Sequence, residues 1–233
     1  MLTSCRLRPA YAADIPAMGA LWRQVFGDSE EVTDAFYRAF PQCRAAVAEN
    51  GAGEIISVVH TLPQTLVFPG GTLPVAYLYA IATRKDCRGQ GVASALVRFT
   101  EALLERLGYA IAVLTPAEPS LFAFYAKLGY VPAFTRSRTP FPGGTEISAE
   151  EYRRRREELL DLPHIAYGLD TFRYLETAYG VKFYETATGV AAAGENYTAE
   201  VLPEDLGGKP FAMAKWLSKP RPLPQGYLGF ALE

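Results

Sequence analysis

Residues Tyr77 to Ala93 read Tyr-Leu-Tyr-Ala-Ile-Ala-Thr-Arg-Lys-Asp-Cys-Arg-Gly-Gln-Gly-Val-Ala, an apolar strand that runs through a basic, glycine-bearing turn into a helix. No other stretch constrains the chain as much. A helix that starts after such a turn leaves its first N–H groups unpaired and carries partial positive charge at that end. An anion seated there is stabilised by the backbone alone. Gly89 and Gly91 let a ligand approach the main chain closely, and Arg84, Lys85 and Arg88 add fixed positive charge. An arginine can hold a phosphate through two parallel hydrogen bonds. Two familiar phosphate loops do not fit. The dinucleotide pattern G-x-G-x-x-G fails because Ser94 stands three residues after Gly91, and the Lys-Ser/Thr pair of the triphosphate loop is missing from Arg88 to Ala93.

Arg88, Gly91 and Ala93 do match an Arg-x-x-Gly-x-Gly/Ala signature. Downstream come a helix from Val92 to Leu107, Gly108, a strand from Ile111 to Thr115, and a second helix that ends in Phe124-Tyr125-Ala126-Lys127-Leu128-Gly129-Tyr130. In this order, and in the Tyr-x-Lys-x-Gly-aromatic segment about thirty-five residues after the turn, the chain resembles the GNAT superfamily of acyl-coenzyme A dependent N-acyltransferases. Glu118 stands where many relatives carry asparagine.

The resemblance implies an α/β (α+β) fold, a mixed and mostly antiparallel sheet flanked by helices. It implies acetyl-coenzyme A as co-substrate, no metal, and an amine acceptor, either a small molecule or a peptide amine. Arg88, Gly89, Gln90, Gly91, Val92 and Ala93 map to the pyrophosphate seat. The strand before the turn is expected to splay from its neighbour at a bulge, where the main chain of Ile81 and Thr83 pairs with the pantetheine arm as an added strand would. Tyr125 maps to a tyrosine near the coenzyme's sulfur, placed to protonate the departing thiolate; packing beside the cofactor is its alternative role.

The whole chain fits a bacterial, cytoplasmic protein. Its 233 residues exceed one minimal domain of this type, so an extension has to be accommodated. A formal net charge of −2 gives no global attraction to nucleic acid or an anionic membrane, so the cluster from Arg84 to Arg88 reads as a local site. Cys5, Cys43 and Cys87 form no close pair, which points to a reducing compartment and to neither a disulfide framework nor a zinc site. A signal-peptide core and an apolar run of membrane-spanning length are both lacking. A homodimer stays open.

Apolar spacing predicts a first strand at Cys5 to Arg8 and a helix from Asp14 to Phe26 that Gly27 stops. Asp28 with Glu31 reads as a capping box for a second helix, Glu30 to Phe40, with Val32, Phe36 and Phe40 inward. In relatives such paired helices frame the acceptor side. Strands follow at Ala45 to Glu49, Ile55 to Leu66 and Leu73 to Thr83, an antiparallel meander. Alternation puts Val75, Tyr77, Tyr79, Ile81 and Thr83 on one face of the last strand and Ala76, Leu78, Ala80 and Ala82 on the other. The helix after the turn has its core stripe at Val92, Leu96, Phe99, Leu103 and Leu107.

Thr139 to Gly144 reads as a linker, dividing an acyltransferase domain at 1–140 from a C-terminal segment at 141–233. Ser148 caps a helix carrying Arg153 to Arg156. Because Glu150, Glu151, Glu157 and Glu158 flank these arginines, the helix reads as solvated and self-paired rather than as a nucleic-acid contact. A helix at Thr171 to Tyr179 and strands at Val181 to Thr186, Gly189 to Ala193, Tyr197 to Leu202, Phe211 to Leu217 and Tyr227 to Leu232 follow. This segment suits a small appended α+β subdomain packed on the acceptor side, a half-size repeat, or a donor of the terminal strand that the first domain lacks.

The leading functional reading is an acetyl-coenzyme A dependent N-acetyltransferase. A non-catalytic acyl-coenzyme A sensor and a nucleic-acid regulator using the arginine helix are the alternatives. No base is assigned, because the strand from Leu73 to Thr83 contains no carboxylate, and Glu54 and Glu118 lie at element starts. Tyr77, Tyr79 and His60 fit either an acceptor pocket or the core.

Overall fold

The computed structural model describes residues 5–137, 139–195, 197–204, 206–219 and 221–230. Strand β1 (Arg6–Pro9) leads through a short 3-10 turn to helices α1 (Ile15–Phe26) and α2 (Glu30–Ala39). The cap of α2 is Ser29 rather than Asp28, its hydroxyl accepting from the Val32 amide at 3.4 Å. Asp28 is diverted because its carboxylate accepts the Trp22 indole N–H at 2.6 Å. Strands β2 (Arg44–Glu49), β3 (Ile55–Phe68) and β4 (Gly71–Thr83) form the expected meander, followed by α3 (Val92–Arg106), β5 (Ile111–Leu114), α4 (Pro119–Ala126) and β6 (Val131–Thr135).

Beyond the linker lie β7 (Thr145–Ile147), α5 (Ala149–Leu159), β8 (His164–Ala166), α6 (Leu169–Tyr179), β9 (Lys182–Glu185), β10 (Val190–Ala193), β11 (Thr198–Leu202), β12 (Ala212–Trp216) and β13 (Gly226–Tyr227). Strands β7 and β8 are too short to show any periodicity, and the sequence gives no sign of them. Of the strand expected at Tyr227 to Leu232, residues 231 and 232 lie outside the described residues.

The main sheet has the order β1-β2-β3-β4-β5-β12-β6-β13-β8, and β8 also pairs with the far end of β3 through Thr65↔Ala166, Leu66↔Ile165 and Val67↔His164. The strands from β3 round to β8 therefore close into a ring. Three of its members come from beyond residue 140, so the sheet crosses the division read from the sequence. Strand β12 inserts antiparallel between β5 and β6, the place of the missing terminal strand, and Lys215 on it donates to the Glu101 carboxylate of α3 at 2.6 Å. What remains is a four-stranded antiparallel sheet, β11-β10-β9-β7, accompanied by α5 and α6. Helix α6 packs against α2.

Alternation along β4 and β5 splits the core in two. Val75, Tyr77, Ile111 and Val113 join one buried cluster with Leu62, Leu66, Ile165 and Tyr227. Ala76, Leu78, Ala112 and Leu114 join the other, beneath Val92, Leu96, Val97 and Leu104 of α3. The buried line on α3 thus runs through Val97, Thr100 and Leu104. Leu107, expected inside, is 49% exposed because the helix ends one residue before it and the chain turns away at Gly108.

The arginine run divides in the same way. Arg154 pairs with Glu151 and Glu158, and Arg155 with Glu151 and Glu185, as a self-paired helix should. Arg156 departs from that expectation, since it is wholly buried. Its Nε donates to Glu200 at 3.0 Å, its other nitrogens to the carbonyls of Ile165 and Leu228 at 3.0 and 3.1 Å, and the guanidinium lies 5.2 Å from the centre of the Tyr167 ring. Glu200, equally buried, also accepts from the Tyr152 hydroxyl. One guanidinium thereby joins α5, β8, β11 and the segment after β13. Removing one partner of such a pair leaves the other charge buried and uncompensated. Glu200→Ala should lower unfolding stability by about 3–5 kcal/mol, measured by urea denaturation, while Arg154→Ala on the same helix should change it by less than about 1 kcal/mol.

Candidate active site

Parallel pairing of β4 with β5 runs through Val75↔Ile111, Ala76↔Ala112 and Tyr77↔Val113 and goes no further. Past that point β4 follows β3 alone, and the gap is marked by the Tyr77 hydroxyl, 2.9 Å from the Thr115 hydroxyl. The β3–β4 register shifts between Val58 and His60, and on β4 Ala80 has φ +43°. This is a bulge at a residue with a side chain, a conformation costing about 1–2 kcal/mol. It reverses the alternation. Tyr79 stays with the first core cluster, Ile81 moves to the α3–α4 cluster, and Ala82 packs with Met18 and Leu21 of α1. Ile81 and Tyr79 therefore do not share a face, contrary to simple period-two counting.

His60 supports the bulge from behind. Its Nδ1 lies 3.4 Å from the Ala80 carbonyl, which can only accept, so Nδ1 carries the proton and Nε2 accepts from the Tyr37 hydroxyl at 2.9 Å. The ring is wholly buried, and desolvation lowers its pKa to about 4, so it is neutral. Trp22 and Phe36 pack on it and on Tyr79 with ring centroids 5.2–5.4 Å apart. Each such contact is worth about 0.5–1.5 kcal/mol, enough together to hold a strained residue. Tyr79 also lies 3.2 and 3.3 Å from the hydroxyls of Tyr174 and Tyr179 on α6, which ties the C-terminal segment to β4.

A cavity of about 580 Å³ opens where β4 leaves β5. Ile81, Thr83, Arg88, Gly89, Gly91, Val92, Ala93 and Tyr125 all line it. The first hydrogen bond of α3 runs from Ala95 N to Gly91 O at 3.0 Å, leaving the amides of Val92, Ala93 and Ser94 without an intrahelical acceptor. Gly89 and Gly91 have φ of +74° and +81°, and a Cβ built on Gly89 meets nothing within 4 Å. Arg88 is exposed, its Nε donating to Thr83 O at 3.0 Å. Two sequence candidates stand apart. Gln90 is not in the lining and donates to Asp86 O at 2.7 Å. Arg84 is drawn off by Glu54 at 3.1 Å and Asp86 at 2.8 Å.

A second cavity of about 270 Å³ shares Phe26, Ile81, Ala117, Leu121 and Tyr125 with the first and continues to Trp22, Asp28, Tyr77 and Tyr79. Tyr125 thus stands where the two meet. It is buried, its hydroxyl has no hydrogen-bond partner among the described residues, and burial pushes its phenol pKa up. The group keeps its proton across the neutral range. Glu54 and Glu118 do not line the second cavity, whereas Asp28 does. The sequence gave Asp28 a capping role, and only the fold brings it here.

A family model described as an acetyltransferase (GNAT) domain matches residues 6–133. The chain belongs to the GNAT family. Among solved structures, it is similar to a GCN5-related N-acetyltransferase from Kribbella flavida, with 16% identity and a TM-score of 0.71 over 92% of this chain and 72% of that one. A probable N-acyltransferase from Enterococcus faecalis V583 matches with 14% identity and a TM-score of 0.65, covering 92% of this chain and 73% of that one. Eis1 from Mycobacterium abscessus matches with 17% identity and a TM-score of 0.60, over 84% of this chain and 52% of that one. At such identities the likeness is one of fold. No curated protein matches the sequence.

Within this GNAT fold the buried neutral His60 ties stability to pH. Its pKa is depressed to about 4 in the folded state, against about 6.5 when unfolded, so the unfolded chain binds the extra proton first as pH falls. Stability is full above pH 6.5 and should drop by about 2–3 kcal/mol by pH 4.5. Urea midpoints across that window should show the slope, and His60→Asn should flatten it.

Proposed function

We propose that this chain is an N-acetyltransferase that moves an acetyl group from acetyl-coenzyme A to an amine acceptor by direct attack. The observation that carries the reading is the junction of the two cavities at Ile81 and Tyr125. One cavity ends on an anion seat and the other ends among aromatic side chains and a carboxylate, so donor and acceptor would meet at a buried phenol.

In this reading the amides of Val92, Ala93 and Ser94, together with Arg88, hold the pyrophosphate, and Gly89 and Gly91 keep side chains out of its way. The main chain of Ile81 and Thr83, past the end of the β5 ladder, offers hydrogen bonds to the pantetheine amides as an extra strand would. A neutral amine attacks the thioester carbon, the C–N bond forms, the C–S bond breaks, and Tyr125 gives its proton to the departing sulfur. The raised pKa of Tyr125 keeps that proton in place until the thiolate appears.

Acetyl-coenzyme A should raise the melting temperature of the purified protein, because a ligand that binds only the folded state stabilises it by mass action. Gly91→Glu should abolish that increment by placing bulk and negative charge at the phosphate seat; a mutant that responds like the parent would defeat the assignment. Tyr125→Phe should lower kcat by about a hundredfold with little change in the acetyl-coenzyme A increment, followed by thiol release over a panel of amines. Equal turnover would reduce Tyr125 to packing. Retained stabilisation with no turnover by the parent on any amine would favour the non-catalytic module.

A further inference from the structure

Asp28 is the carboxylate in the lining of the second cavity, and it is half-buried. Its Oδ2 accepts the Trp22 indole N–H at 2.6 Å, and it makes no ion pair among the described residues. The lining contains no Lys, Arg or His, while Trp22, Phe26, Tyr77, Tyr79 and Tyr125 supply aromatic surface. Elsewhere this chain pairs its withdrawn carboxylates with cations: Glu200 with Arg156, Glu101 with Lys215, and Asp14 with Arg8. A carboxylate drawn from water and held by one neutral donor retains most of its attraction for a cation. Aromatic faces add to that attraction for an ammonium group.

We propose that Asp28 is a specificity-determining residue that receives a positively charged group of the acceptor, so that the second cavity selects cationic amines with a compact apolar body. The inference rests on the acyltransferase reading for the word acceptor, and on the cavity alone for the binding of a cation. The Trp22 indole fixes the carboxylate by occupying Oδ2, leaving Oδ1 for the ligand. Phe26, 42% exposed, stands at the mouth, with Trp22 and Tyr79 deeper.

The test uses the full chain and two probes of equal shape, 2-phenylethylamine and 2-phenylethanol, with binding followed by ligand-observed NMR titration. The parent protein should bind the amine about tenfold or more tightly than the alcohol, the scale of a charge-assisted hydrogen bond. Asp28→Asn keeps an acceptor for the Trp22 indole and removes only the charge, so it should erase the preference while leaving the acetyl-coenzyme A melting increment unchanged. If thiol release is observed, the same substitution should raise KM for amine acceptors more than it lowers kcat. Equal binding of amine and alcohol by the parent, absence of amine binding, or a preference that survives in Asp28→Asn would overturn the proposal. If Asp28→Asn does not fold, the amine-to-alcohol ratio of the parent alone decides. Failure of the acyltransferase reading appears separately, as loss of the acetyl-coenzyme A increment and of thiol release, with the probe ratio intact.

Discussion

The β4–β5 ladder stops at Tyr77, and the rest of the molecule is arranged around that interruption. Backbone groups that lose a ladder partner must find water, another protein group or a ligand, since leaving them buried and unpaired costs about 1–3 kcal/mol each. Here the strands part next to the N-terminus of α3, so an opening edge and a set of unpaired helix amides face one cavity. The bulge at Ala80 increases the divergence and moves Ile81 onto the α3–α4 side. A neutral His60, packed beneath Trp22 and Phe36, fixes the bulge without introducing a charge into the core.

A sheet split in its middle would be weak if its ends were free, and this one has its far end closed. Strand β12 covers the edge of β5 that β4 does not take, and β13 and β8 carry the sheet back to β3. The polypeptide beyond residue 140 is thus part of the framework that tolerates the split, as well as the source of a second small sheet. Arg156 secures this arrangement by bonding to elements on either side of the ring closure, and the Tyr79, Tyr174 and Tyr179 hydroxyls secure the contact with β4.

What could be read from the sequence follows from the range of the interactions involved. The turn at Arg88 to Ala93, the Ser148 cap and the helix ends at Gly27 and Gly180 are set by neighbours a few residues away, and the fold contains each of them. The three-residue strands β7 and β8 exist only because distant partners pair with them, so no local pattern announces them. Ile81 was misassigned to a face because one bulge residue shifts the phase of everything after it. Arg156 could not be told from Arg154 and Arg155 by type, since its burial depends on Glu200, forty-four positions away. Of the candidate site, the anion seat and Tyr125 were legible as motifs. Asp28 was not, because its place in the cavity comes from a contact between α1 and the loop after it and from the packing of both on β4.

The contrast between Glu200 and Asp28 separates framework from site. Glu200 is wholly buried and satisfied by Arg156 and Tyr152, and a Cβ built on Gly229 would come within 2.1 Å of its Oε1. Nothing further can bind there. Such a pair, closed to solvent and to ligand, acts on the folding equilibrium alone. Asp28 is held on one side only, by a donor without charge, and its other side faces a cavity lined with rings. An arrangement optimised for stability alone would have supplied a cation, as it did for Glu101 and Asp14. Leaving the carboxylate unpaired at that point costs folding free energy and keeps the electrostatic attraction available to whatever enters.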